Sequence, residues 1–357
     1  MSAEQQAAGS KKGFFLKALV VMLVLLLAGA AITLSLYRSF QTAELSLPEE
    51  GMIYAIPPGT SMQQLAFDLH RHGIIDKPRF FLLLGRELGV ARRLKTGEYQ
   101  LVRGMTPLTL IEQVVAGRVI QYSLTLIEGQ TFREVLARIF SSPLIENTLE
   151  GLDDAEIMAR LGHAGEHPEG RFLPDTYNFP RNTTDLAVLR RAHDAMRERL
   201  QQEWEGRAEG LPLDSPYEAL ILASIVEKET GLAEERPVIA GVFIRRLQKG
   251  MKLQTDPTVI YGLGEKFDGN IRLRDLRKDT PYNTYTRRGL PPTPIAMPGA
   301  DAIHAVLHPA AGDSLYFVAM GGGRHYFSNT LKEHNRAVDK FQRGKSHIKL
   351  KHQEQLQ

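Results

Sequence analysis

Residues 18–36 carry no charged side chain and are dominated by Val, Leu, Ala and Ile. A run of roughly 19 apolar residues spans a bilayer core as a helix, and it has no polar face of the kind a surface helix shows. Residues 38–51 are polar, with Pro48, Glu49 and Glu50, and predict a linker. Residues 53–56 then read as a short strand and Pro57-Pro58-Gly59 as a turn. Met62, Leu65, Ala66 and Leu69 follow at helical spacing behind Thr60 and Ser61, either of which suits the N-cap. A Gly followed two places later by Thr recurs at Gly104-Met105-Thr106 and Gly129-Gln130-Thr131, each before an apolar helix. The unequal intervals mark a reused turn-and-cap device rather than a solenoid repeat.

Residues 151–210 read as mostly helical, interrupted by a loop over 169–180 that holds three aromatics, which suit local packing or a sugar-stacking platform. The sharpest helix start is Ser215-Pro216-Tyr217-Glu218, with Ser215 at the N-cap, Pro216 at N1 and Glu218 completing a capping box. Residues 219–226 are then apolar except Ser224, the pattern of a helix buried on every side, and Gly231 suits its C′ position. A second helix ends at Gly250, and Asp256-Pro257 reads as N-cap plus N1 of a short helix through Tyr261. A long irregular segment follows over 281–292. Gly321-Gly322-Gly323 between two apolar runs predicts a hairpin, and Thr330 to Glu333 opens a last helix as a capping box.

Composition narrows the chemistry. The 357 residues are 43% hydrophobic and 24% charged, the balance of a globular protein. A net charge of +3 without a concentrated basic stripe gives no case for nucleic acid. The absence of cysteine excludes disulfides, thiolate metal sites and a Cys nucleophile. Lys11, Lys12 and Lys17 precede the apolar run, so the positive-inside rule leaves the N-terminus in the cytoplasm and exports the rest. Ala28-Gly29-Ala30 resembles a signal-peptide cleavage site, but the run continues through Ile32, Leu34 and Leu36, which favours an uncleaved anchor.

Glu227 is the first carboxylate after the apolar helix run, above a stripe of Ser224, Ala223 and Leu220. Desolvation and the negative end of the helix dipole both favour its protonated form, as a general acid needs. Glu229, two residues on, lies on another face and reads as a surface or supporting group; Glu234 and Glu235 read as the start of the next helix. Gln254, Thr255, Asp256, Tyr261, Tyr282, Asn283, Thr284 and Tyr285 are suited to sugar hydroxyls and N-acetyl groups. His304 and His308 are spaced i, i+4, but Pro309 stops the helix at once, so they read as ordinary core or surface histidines and no metal or cofactor is expected.

The chain resembles the endolytic murein transglycosylase (YceG-like) family. The matching motifs are Glu169-Gly170 with Pro174-Asp175-Thr176-Tyr177, residues 223–230, residues 253–262, Tyr282-Asn283-Thr284-Tyr285 with Gly289-Leu290-Pro291-Pro292, and residues 315–319. The resemblance implies an inner-membrane enzyme facing the periplasm that cuts nascent peptidoglycan beside penicillin-binding synthases. The Gln254 and Tyr282-Asn283 segments are separately similar to substrate motifs of goose-type lysozymes and soluble lytic transglycosylases, which implies a lysozyme-like core. The segment around Gly59-Thr60-Ser61 separately resembles a LysM module, whose strand–turn–helix entry often binds N-acetylglucosamine glycans.

The expected architecture is α+β. It has a cytoplasmic tail (1–17), a transmembrane helix (18–37), a linker (38–51), a LysM-like module (52–117), a mostly helical catalytic domain with a C-terminal hairpin (118–344), and a basic, disordered tail (345–357). A membrane-tethered glycan-binding scaffold without enzymatic activity is the alternative.

Overall fold

The computed structural model describes residues 3–90 and 92–343, so the expected basic tail at 345–357 lies outside the described residues. The chain divides into two compact units, Met1–Gln121 and Tyr122–Gln357.

The first unit opens on a 40-residue helix, α1 (Ala3–Thr42). Its segment Leu16–Thr42, with mean hydropathy 2.7, is long and apolar enough to cross a membrane. The helix does not stop at residue 37, and the expected linker is partly core. Tyr37 and Phe40 recur on one helix face and are buried, meeting the Phe80 ring edge-on at 5.5 and 5.9 Å. Leu45 is buried as well and its N–H donates to the Met105 carbonyl at 2.7 Å.

There follow β1 (Met52–Ile56), α2 (Met62–Arg71), α3 (Pro78–Glu87), β2 (Gly97–Leu101) and α4 (Pro107–Ala116). The strands pair antiparallel, with Met52 opposite Leu101 and Ile56 opposite Gly97. Leu65, Leu69, Phe81, Tyr99, Leu101 and Val114 fill the core between them. Ser61 and Thr106 each cap their helix with a full capping box, as their turn-and-cap pattern predicts.

The second unit runs β3 (Tyr122–Thr125), α5 (Phe132–Phe140), β4 (Ile145–Glu146), α6 (Asp154–Leu161), β5 (Thr176–Phe179), β6 (Thr183–Thr184), α7 (Asp185–Glu205), α8 (Pro216–Glu229) and α9 (Arg236–Gln248). It ends with α10 (Asp256–Leu263), α11 (Leu273–Arg277), α12 (Ala300–Leu307), β7 (Tyr316–Gly321), β8 (Arg324–Ser328) and α13 (Leu331–Val338). β3 pairs antiparallel with β5, β4 pairs in parallel with β6, and β7–β8 is the expected hairpin. Phe172, Tyr177 and Phe179, the three aromatics of the 169–180 loop, are buried in the core, so they pack rather than present a platform.

Helix α8 is the centre of this unit. Residues 219–226 are all buried, and α7, α9, α10 and α12 pack around them. Ser215 caps it, although Glu218 reaches back to the N–H of Asp214 rather than of Ser215. Its other end is not a glycine turn: Thr230, at φ −145° and ψ 136°, leaves the helix as extended chain. The one polar residue in the run has a use. Ser224 Oγ donates to the Ile221 carbonyl (2.7 Å) and accepts from the Ile295 N–H (3.0 Å), tying the 281–299 segment to α8.

Replacing Ser224 with Ala leaves that buried N–H without a partner. The expected loss is about 1–3 kcal/mol of stability, read by equilibrium unfolding in detergent; a variant as stable as the parent would contradict the anchoring role.

Candidate active site

A cavity of about 490 Å³ in the second unit lies between the end of α8, the chain entering α10, and the β7–β8 hairpin with α13. Its lining includes Glu229, Gln254, Thr255, Asp256 and Tyr285, with Arg246, Tyr316, His325, His334 and Asn335 further round. Glu229 Oε1 accepts a hydrogen bond from Thr255 Oγ1. Burial pushes its carboxyl up to about 7; the Thr255 bond and the nearby His325 oppose the rise, while Asp256 adds to it. It is a carboxylic acid poised to hold or release a proton near neutrality.

The segment beside it is held unusually. Gln254 has φ 53°, the left-handed region that non-glycine residues seldom enter. Such strain costs of order 1–3 kcal/mol and persists only where surroundings enforce it. Here Arg246 does so. Its Nη1 donates to the carbonyls of Lys252 (3.0 Å) and Leu253 (2.8 Å) and reaches Gln254 Oε1 at 3.4 Å. Thr255, not Asp256, takes the N-cap position of α10, which frees the Asp256 carboxylate to accept from Tyr285 Oη at 2.6 Å.

Glu227 does not line this cavity. Its Oε2 accepts from the Gly299 N–H at the start of α12 (3.0 Å), and its Oε1 is 3.5 Å from Arg236 Nη2. Arg236 also faces Asp301 (3.3 Å) and Glu128 (3.7 Å). Burial raises the Glu227 pKa, as the sequence suggests, with the Gly299 bond opposing it and Glu128 adding to it. The carboxylate is nonetheless engaged in joining α8, α9 and the N-terminus of α12.

Four of the eight candidate substrate residues, Gln254, Thr255, Asp256 and Tyr285, line the cavity. The other four do not, because their polar groups are already engaged. Asn283 is buried and its Nδ2 donates to the carbonyls of Asp275, Leu276 and Lys278 at 2.7–3.1 Å. Thr284 Oγ1 accepts from the Thr255 N–H (3.1 Å) and meets Thr258 Oγ1 at 2.9 Å, so it supports the cavity wall from behind. Tyr261 Oη donates to Glu169 (3.0 Å), and Tyr282 Oη meets Thr293 Oγ1 at 2.9 Å.

The sequence reading took Glu229 as a surface or supporting group and did not single out Arg246 or His325. Glu229 sits above Val226, Ile225 and Leu222, a stripe as apolar as that of Glu227 and the local signal that marks it. His304, read as an ordinary histidine, is 2.8 Å from Glu203.

A carboxyl whose pKa is raised in the folded state favours folding below its unfolded pKa, and that contribution is lost as pH rises through the folded value. Glu229→Gln, which mimics the protonated form, should therefore match the parent in stability near pH ~4 and exceed it at pH ~8 by on the order of 2–3 kcal/mol. Unfolding curves at the two pH values measure this; equal stability at the higher one would contradict it.

Residues 54–340 match the YceG-like family. The endolytic murein transglycosylase of Bacillus subtilis (strain 168) is 32% identical over 303 residues, spanning 80% of this chain and 83% of that protein. That of Streptococcus pneumoniae serotype 2 (strain D39) is 28% identical over 323 residues, spanning 79% of this chain and 57% of the longer relative. A 2.6 Å crystal structure of a YceG-like protein from Listeria monocytogenes aligns with TM-score 0.52 and 30% identity, over 81% of this chain and 99% of that one. These matches settle the family: the chain belongs to the YceG-like family.

Proposed function

We propose that this chain is a membrane-anchored lytic transglycosylase that cuts peptidoglycan glycan strands internally, with Glu229 rather than Glu227 as its acid. The observation that carries the assignment is the position of Glu229 in the 490 Å³ cavity, half-buried and with its pKa raised to about 7. The relatives are named for this activity, and the scaffold alternative is not favoured.

Hydrolytic glycosidases pair two carboxylates about the scissile bond. Asp256 is the other carboxylate lining this cavity, and it is hydrogen-bonded by Tyr285. One acid suffices for the lytic route. Glu229 gives its proton to the oxygen joining N-acetylmuramic acid C1 to the next N-acetylglucosamine, and the C1–O bond breaks. The Glu229 carboxylate then takes the proton of the muramic 6-hydroxyl, whose oxygen bonds to C1. A 1,6-anhydro end results, water is not consumed, and Glu229 is protonated again. Gln254, Tyr285 and Asn335 offer the amide and hydroxyl groups that N-acetyl sugars require.

The same reading extends to the rest of the chain. Helix α1 anchors the protein in the inner membrane with its N-terminus cytoplasmic and the chain after α1 periplasmic, near the penicillin-binding synthases. The antiparallel β1–α2–α3–β2 arrangement supports a LysM-like module, and the helices packed on α8 support a lysozyme-like catalytic domain.

Glu229→Gln should lower turnover of purified glycan strands by at least about 10²-fold, whereas Glu227→Gln should retain most of the activity of whatever fraction folds. Mass spectrometry of the parent's products should give anhydro ends. Reducing ends would overturn the lytic route, and an active Glu229→Gln would overturn the acid.

A further inference from the structure

Behind Glu229 lies a second pair of titratable groups that the acid step leaves unused. Glu235 stands at the N-cap of α9, six residues after Glu229 in the chain, and is buried. Its Oε1 accepts from the His325 backbone N–H at 2.8 Å, and its Oε2 is 2.7 Å from His325 Nδ1. Thr230, next to Glu229, adds its hydroxyl to the same Oε2 at 3.5 Å. Burial alone would raise the Glu235 carboxyl, but the hydrogen bonds from the His325 ring and backbone outweigh it and hold the group below the usual carboxylate range. The imidazole is pinned on its other flank by Phe317, whose ring it meets edge-on at 5.4 Å.

His325 lines the same cavity as Glu229. A carboxylate bonded to Nδ1 fixes the proton on that nitrogen and sets the orientation of the ring. The other charged or titratable side chains facing the cavity are Asp256 from α10, Tyr285 from the following segment, Arg246 from α9, Tyr316 from β7 and His334 from α13. Arg246 is turned onto backbone: beyond the carbonyls of Lys252 and Leu253, its Nε donates to the Leu315 carbonyl at 2.7 Å.

We propose that the Glu235–His325 pair is a built-in countercharge for the Glu229 carboxylate that exists between the two proton transfers, with Glu235 positioning the imidazolium. This rests on Glu229 being the acid. When Glu229 has given its proton to the departing oxygen, a negative charge is left in a desolvated wall beside a cationic sugar. An imidazolium fixed in advance stabilises that carboxylate until the 6-hydroxyl returns a proton, without reorganising solvent. His325 itself exchanges no proton in the cycle.

The sign of the effect is testable. A cation near Glu229 favours its ionised form, so removing it raises the Glu229 pKa. Activity that needs protonated Glu229 then persists to higher pH. For full-length His325→Gln and Glu235→Gln in detergent, kcat on purified glycan strands should fall by roughly tenfold or more with KM little changed. The alkaline limb of the pH profile should move upward in both. The double variant should move no further than His325→Gln, because Glu235 acts through the ring.

A limb that stays at the parent position in either folded variant overturns the proposal. If both variants unfold, a nitrogen-15 NMR titration of the parent decides it: a His325 ring neutral throughout the active pH range also overturns it. Glu229→Gln, run alongside, separates the layers. An active Glu229→Gln removes the acid assignment beneath the proposal. An inactive one, with the alkaline limbs of the His325 and Glu235 variants unmoved, removes the countercharge alone.

Discussion

A helix that is apolar on every face must be covered on every face, and the second unit is arranged around that requirement. Residues 219–226 of α8 have no side that water can wet, so α7, α9, α10 and α12 pack against it from several directions. Burial of this kind is worth about 25 cal/mol per Å² of apolar surface, and it fixes where the helix must end. At the end of α8, Glu227 and Glu229 are half-buried and Thr230 is buried, while Lys228 and Gly231 reach the surface. The carboxylates that follow the apolar run are therefore desolvated by the same packing that stabilises the fold, and the raised acid is a consequence of the core.

Desolvation alone does not select the acid. Glu169, Glu227 and Glu229 all have burial as the largest cause of a raised pKa. What separates them is what their oxygens meet. Glu169 is filled by the Phe132 N–H at 2.9 Å and the Tyr261 hydroxyl at 3.0 Å, deep in the protein. Glu227 holds the N-terminus of α12 and faces Arg236. Glu229 has one side-chain donor, Thr255, and borders open volume. Structural carboxylates are tied by the elements they join; the one left beside space can exchange a proton.

This is also where the reading of the sequence was strong and where it stopped. The membrane-length apolar run, the capped start at Ser215, the buried α8, the turn-and-cap entries and the final hairpin were all legible, because each is written in local periodicity or cap chemistry. The choice between Glu227 and Glu229 was not. Both follow the apolar run and both sit over apolar stripes. The difference is made by Thr255, 26 positions on, and by Gly299, 72 positions on, contacts that no helix pattern contains. The same limit explains Asn283 and Thr284. Their polarity marked them correctly as hydrogen-bonding, but only the folded chain reveals that backbone carbonyls and Thr255 already occupy them.

The strained segment completes the physical account. Gln254 can sit at φ 53° only because Arg246, itself buried, spends its donors on the carbonyls around it. An arginine used in this way shapes the cavity wall, and its charge is already shared among backbone dipoles. Asp256, the nearest other carboxylate in the wall, works in the opposite direction by raising Glu229. In the proposed mechanism, a carboxylate left beside Asp256 calls for a positive charge from elsewhere. The hairpin brings His325 to that position, and Glu235, a few residues beyond the acid in the chain, holds it there. Helix α8 thus sets the proposed acid, and the short stretch that follows it holds the His325 ring proposed to balance the charge that acid leaves behind.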